Sequence, residues 1–299
     1  MFNLFKKRLV IATHSGSFHA DDLFACAALK LAYPNAKIVR TRDAAIIHAA
    51  DIVLDVGGMY DPAQNRYDHH QKGGAGIRDN KIPYAAFGLI WKHFGMRLCK
   101  DDREVWNRIE QKIVLSQDAI DNGVAIVKDS FAGVMPYAAD QAFLAFSPSW
   151  KENENTIDRI FIEQVEKAKM LLAREIKVAA DDVEGERIIL NAPRKDGIVM
   201  LDISMPRYLY QNLLARDESA YFVLLPQKNG GWKAECIRKN EFTMESRRPF
   251  PESWTGLEGE ALQKESGVAT ATFCHKGRFL AGAKTKEDAL LLAEKTLSA

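Results

Sequence analysis

The chain has 299 residues, 47% of them apolar and 27% charged, with a formal net charge of +1. That is the balance of a soluble globular protein with room for two domains, and it carries no global basic field that would announce nucleic acid, although a local groove could still be basic. No apolar run approaches the roughly 18 residues that a membrane span needs, so no membrane partner is expected.

Met1 to Arg8 is too short for a signal peptide and leads directly into the first expected strand. The four cysteines, Cys26, Cys99, Cys236 and Cys274, lack CxxC spacing and sit inside apolar runs. They read as buried free thiols suited to a reducing cytosol, and the expectation is a cytoplasmic protein. Leu9 to Ala12 reads as a central parallel strand. A helix starting at Asp21 or Asp22 would carry Phe24, Ala27, Ala28 and Leu31 on one face, with Pro34 as its end. Lys37 to Arg40 and Ile52 to Val56 are further strands, separated by a short helix over Ala44 to Ala50. This alternation predicts an α/β fold with a mostly parallel sheet, in which ligands gather at the carboxyl ends of the strands.

Lys72 to Asn80 is a glycine-rich loop. A helix is expected from Pro83 to Phe94, stopped by Gly95, and another from Asp101 to Ser116. Thr156 to Ala180 predicts a long amphipathic helix. The pattern restarts at Gly185, with strands over Arg187 to Leu190 and Ile198 to Ile203, then a helix over Met205 to Arg216. Asn229-Gly230-Gly231 is a hairpin signal between the strands Tyr221 to Leu225 and Trp232 to Ile237. The division expected is a domain over 1–150, a connecting helix over 151–184 and a smaller α/β domain over 185–299.

Chemistry concentrates in four stretches. Arg66-Tyr67-Asp68-His69-His70-Gln71 holds an acidic residue against two adjacent histidines. Asp51 to Gly58 is a strand ending in Asp55 and two glycines. Thr13-His14-Ser15-Gly16-Ser17-Phe18-His19-Ala20-Asp21-Asp22 is a strand running out into His and Asp. Ser116 to Gly123 carries Asp118 and Asp121. Imidazoles and carboxylates delivered from several rigid elements are what a site for two divalent ions needs. Asp121 is balanced between support and helix capping. There is no P-loop, no GxGxxG, and no serine with a case for nucleophile.

Asp68-His69-His70 resembles the signature of the DHH phosphoesterase superfamily. More closely, Thr-His-Ser-Gly-Ser-Phe-His-Ala-Asp-Asp, Asp-Val-Gly-Gly-Met-Tyr-Asp-Pro, Arg-Tyr-Asp-His-His-Gln and Asp-Ala-Ile-Asp-Asn-Gly resemble motifs of the MYG family. So do Pro251 to Leu257 and Phe273-Cys274-His275-Lys276-Gly277-Arg278-Phe279, so the likeness covers nearly the whole chain. The chain departs from the superfamily pattern at His19, where an Asp is usual, and at Ala85-Ala86-Phe87-Gly88, where family members tend to carry two serines.

The resemblance implies a two-domain metal-dependent phosphodiesterase, a 3′→5′ exonuclease on single-stranded RNA or short oligonucleotides. It implies that His14, His19 and Asp55 hold one ion and that Asp21, Asp55, His69 and Asp118 hold the other. His70 would face the scissile phosphate, with Asp68 orienting the histidine pair. His275, Arg247, Arg248, Lys276 and Arg278 are the candidates for binding substrate phosphates from the second domain. A histidine-containing shell favours manganese over magnesium, which prefers all-oxygen ligands. The other readings are a small-molecule phosphohydrolase for pyrophosphate or cyclic dinucleotides, and a metal-binding regulatory protein without turnover. A homo-oligomer is compatible with the sequence.

Overall fold

The computed structural model describes residues 8–126, 136–228 and 230–299. The chain divides into two compact units, Met1–Ala180 and Asp181–Ala299. Among the described residues no helix is long and apolar enough to cross a membrane.

The first unit is built on a five-stranded sheet, in the order β2-β1-β3-β5-β4. β1 (Val10–Thr13) pairs in parallel with β2 (Lys37–Arg40) and β3 (Ile52–Leu54), and β3 pairs in parallel with β5 (Arg66–Tyr67). Only the short edge strand β4 (Tyr60–Asp61) is antiparallel. Ile52, Val53 and Leu54 are all buried, as in a strand covered on both faces. α1 (Ala20–Ala32) links β1 to β2, and α2 (Ala44–Ala49) links β2 to β3. α1 is apolar nearly all round, and only a buried helix tolerates that. It packs on α3 (Ala86–Leu98) through stacked Phe24 and Phe87, 5.4 Å apart. α2 is started by Asp43, whose carboxylate accepts from the amides of Ala45 and Ile46.

Two sequence expectations for helix ends are corrected. Gly95 does not stop α3 but lies inside it, buried, where a Cβ would come within 2.7 Å of Trp106 Nε1 and 2.8 Å of Trp91. It is glycine because the helices cross there, not because the chain turns. The single helix expected beyond Asp101 is α4 (Arg103–Ile109), a π-helical turn over Glu110–Val114, and α5 (Leu115–Asp121). α6 (Ala139–Leu144) follows, where the sequence is least decided.

α7 (Ile157–Leu190) is longer than its amphipathic pattern suggests, and the division between units falls inside it. The strand expected over Arg187 to Leu190 is therefore its last turn. Gly185, read as a break, continues the helix and lets Leu209 approach, since a Cβ would meet its Cδ2 at 2.4 Å.

The second unit holds a six-stranded sheet, in the order β10-β11-β9-β8-β7-β6. Its strands are β6 (Arg194–Lys195), β7 (Ile198–Met200), β8 (Phe222–Pro226), β9 (Trp232–Cys236), β10 (Ala271–Cys274) and β11 (Leu280–Ala283). All neighbours are antiparallel except β7 and β8. α8 (Arg207–Leu214) lies with Val199, Val223 and Leu225 in one core. α9 (Gly259–Ser266) and α10 (Lys286–Ser298) supply Leu262 and Leu292 to another. Asn229, the first residue of the expected hairpin signal, lies outside the described residues; β8 and β9 do pair antiparallel on either side of it.

Candidate metal centre

The carboxyl ends of β1, β3 and β5 bring their following residues together. His14 follows β1, Asp55 follows β3, and Asp68, His69 and His70 follow β5. Asp55 takes a left-handed backbone, φ 55°, which Asp and Asn tolerate best after glycine. Its carboxylate is 3% exposed and lies between two rings, with Oδ2 3.3 Å from His14 Nε2 and Oδ1 3.2 Å from His69 Nε2. Burial opposes its ionisation, but His14 and His69 outweigh that and hold it at about 2. Burial likewise disfavours a charged His14, yet Asp22, at 3.0 Å from Nε2, and Asp55 hold the ring up to about 10. His69 is raised in the same way: burial opposes it and Asp55 overcomes burial.

Asp68 is buried and acts as a brace. Its Oδ2 accepts from the Gly58 amide at 2.6 Å, and its Oδ1 accepts from the His70 amide at 3.1 Å. The same Oδ1 lies 2.8 Å from His70 Nδ1. A carboxylate there fixes the proton on Nδ1 and leaves His70 Nε2, on an exposed ring, as the outward-facing atom. His14, Asp55, Asp68 and His70 line a cavity of about 330 Å³ together with His19 and Arg42.

The remaining expected ligands divide. Asp21 is 1% exposed and accepts from the Ala86 amide at the start of α3 through Oδ2. Burial, then Asp55 and Asp121, push its carboxyl well above the ordinary range. His19 is exposed at the start of α1, with Nδ1 3.7 Å from Asp121 Oδ1 and its ring 6.0 Å from that of His14. Asp118 departs from the expectation. Its Oδ1 accepts from the Gly88 amide at 2.9 Å and its Oδ2 lies 2.7 Å from Arg78 Nη2, so both oxygens are committed to α3 and Arg78. Burial pushes it up to about 7 against the pull of Arg78. One turn further along α5, Asp121 Oδ2 lies 3.2 Å from His69 Nε2 instead.

Three groups of donor atoms are close enough for one ion each: Asp55, His69 and His70; His14, Asp22 and Asp55; and His19, Asp21 and Asp121. The residues fit divalent ions on a second ground. Asp21 Oδ1 is buried without a hydrogen-bond partner, and among the described residues the equally buried Asp22 Oδ2 and Asp55 Oδ1 face only the imidazoles of their own groups. Buried carboxylate oxygens left this way are costly unless a cation takes them up.

Sequence reasoning passed over Arg42, left Asp121 between support and helix capping, and gave Asp22 only a place at the start of α1. Asp22 could have been found from its place three residues after His19, where its Oδ1 returns to the His19 amide. Arg42 follows β2 at the same sheet edge as the histidines, which the strand-end rule already marks.

The five substrate-binding candidates all lie in the second unit. Lys276 and Arg248 are exposed. His275 packs at a tilt against Phe279, ring centres 4.3 Å apart, and its Nδ1 accepts from the Gly277 amide; Arg278 has a left-handed backbone and reaches the Phe250 carbonyl. Arg247 departs from the expectation. Its guanidinium donates to the carbonyls of Ala215, Asp217 and Ala220, so it ties a loop together.

A family model, MYG1_exonuc, described as an uncharacterised protein family (UPF0160), matches residues 10–297. The human MYG1 exonuclease is 29% identical over 325 residues, covering 96% of this chain and 85% of that protein. The MYG1 protein of Dictyostelium discoideum is 31% identical and covers 97% of each. Among solved structures, RecJ from Thermus thermophilus in complex with Mn2+ matches with a TM-score of 0.26 and 15% identity, over 97% of this chain and 51% of that one. That likeness is too slight to bear on the fold. With the family model matched over nearly all its residues, and the Dictyostelium relative above 30% identity over almost its whole length, this chain belongs to the MYG1 family.

Proposed function

We propose that this chain is a metal-dependent phosphodiesterase, a 3′→5′ exonuclease that removes nucleotides from single-stranded RNA. One observation carries the reading: buried Asp55 is shared by two adjoining donor groups, as a carboxylate bridging two ions must be. The name of the human relative supports the polarity-neutral part, an exonuclease. In this reading His14, Asp22 and Asp55 would hold one ion and Asp55 and His69 the other, with Asp121 Oδ2 3.2 Å from His69 Nε2 and Asp21 and His19 beside it. When bound, two such ions supply hydroxide at neutral pH and neutralise charge on the attacking and leaving oxygens. The mixed imidazole and carboxylate donors favour manganese over magnesium.

The chain's own groups do the positioning. Asp68 holds His70 so that Nε2 can face the substrate at the cavity. The Gly58 amide keeps Asp68 itself from turning. Little else is needed for phosphoryl transfer beyond orientation and charge. Four buried free cysteines support a reducing, cytoplasmic setting.

The test is end-labelled RNA of graded length, with manganese, beside pyrophosphate and cyclic dinucleotides. Stepwise release of mononucleotides from the 3′ end is the expected result. Turnover of the small substrates with RNA left intact would hand the site to the small-molecule phosphohydrolase reading.

A further inference from the structure

A second cavity, of about 450 Å³, adjoins the metal centre in the first unit, and Arg42, Val56 and Gly57 line both. Its size is that of an ordinary small-ligand pocket. Its character differs from that of its neighbour. Ile47 and Val53 give it an apolar surface backed by the small core of Ala12, Ala50 and Val56, while Ala44 and Met59 stand exposed along it. Gly57 lies at the boundary between the cavities. Its φ of 96° strains any other residue, and a Cβ there would lie 3.3 Å from Ile47 Cγ2. Arg42 stands at the same junction. Its Nε donates to the Ser15 carbonyl at 3.3 Å and its Nη2 lies 3.5 Å from His14 Nδ1, so a fixed positive charge sits where the metal site ends and the apolar surface begins.

A phosphodiester reacting at the metal centre would carry an ester-linked group on each side, and the second cavity is the space next to that centre. We propose that the second cavity receives the nucleoside attached to the reacting phosphate, with Arg42 binding a phosphate oxygen between the two spaces. The proposal rests on the nuclease reading of the metal centre. A nucleobase suits the cavity because it offers a flat, weakly polar face to Ile47, to the soft thioether of Met59 and to the guanidinium of Arg42. Such a surface selects for the presence of a base and is tolerant of which base it is.

Direct binding of AMP and of inorganic phosphate to the manganese-loaded full chain tests this without requiring turnover. AMP should bind about tenfold tighter than phosphate, and Ala44→Trp should lower that preference by about tenfold. Met59→Trp is the second filling variant, at another exposed position, and should act in the same direction; circular dichroism establishes that each variant folds. AMP and phosphate binding equally to the parent, or a preference for AMP that survives both substitutions, would overturn the proposal. Failure of the nuclease reading is visible separately, as a parent protein that binds AMP yet degrades no oligonucleotide.

Discussion

Asp55 combines a left-handed backbone with a carboxylate shared by two histidines, and the two demands can be separated by substitution. Asparagine tolerates that backbone as well as aspartate does, so Asp55→Asn should fold, with a lower melting temperature because His14 and His69 lose the carboxylate between them. It should lose about a hundredfold or more in kcat/KM, because several kcal/mol of two-ion stabilisation go with the charge and each ~1.4 kcal/mol is tenfold. A folded variant within a few-fold of parent activity would remove Asp55 from the bridge. Asp118 and Asp121 make the complementary pair. Asp118→Asn leaves the buried Arg78 guanidinium with only Glu110 as a charged partner among the described residues and should cost about 3 kcal/mol of stability in denaturant unfolding. Elemental analysis should find its metal content unchanged, whereas Asp121→Asn should bind less metal. The sequence pattern singled out His14, Asp55, Asp68, His69 and His70, and the structure brings them together because each follows a parallel strand and strand ends converge. It named Asp118 as a ligand and left Asp121, three residues further along the same helix, between support and capping. In the structure Arg78, from a loop with no periodic signal, pairs with Asp118, while Asp121 lies beside His69.

The strands and most helices are legible in the sequence because burial on both faces of the sheet writes continuous apolar runs, and amphipathic helices write a 3.6-residue period. Glycine misled the reading twice for one reason. Gly95 and Gly185 are in helices, at places where another element comes too close for a side chain. An exposed helical glycine replaced by alanine gains about 1 kcal/mol. Gly95→Ala should instead lose about 1–3 kcal/mol, since its Cβ would intrude on Trp91 and Trp106. A raised melting temperature in that variant would show that the crossing relaxes freely. The π-helical turn at Glu110–Val114 is also invisible to periodicity. It leaves Glu110 beside Arg78, and the two are 2.7 Å apart. Helix type there is settled by a partner distant in sequence.

At the scale of the whole molecule, acid should attack the second unit through Glu235, which is 1% exposed and bonded to Tyr210 and Gln211 at 2.6 and 2.9 Å. Burial alone would raise its pKa, but Tyr210, Arg207 and Lys233 hold it below the ordinary 4.5. The unfolded chain therefore takes up the proton first. The stabilisation is complete above about pH 4.5 and is lost as pH falls through the lower folded value. Glu235→Gln should be less stable by about 3 kcal/mol at neutral pH, with the gap narrowing below about pH 4 in urea titrations. A gap independent of pH would mean that Glu235 is not the group responsible. The donor groups of the first unit have a different consequence. They come from residues 14–22, 55, 69–70 and 121, stretches that an unfolded chain scatters. An ion that prefers the assembled arrangement acts by mass action, adding about 2.7 kcal/mol of stability at a hundredfold excess over its Kd. The melting temperature should climb steadily as manganese is titrated and fall back when EDTA removes it. The supply of metal would then govern how long the chain survives as well as how fast it works.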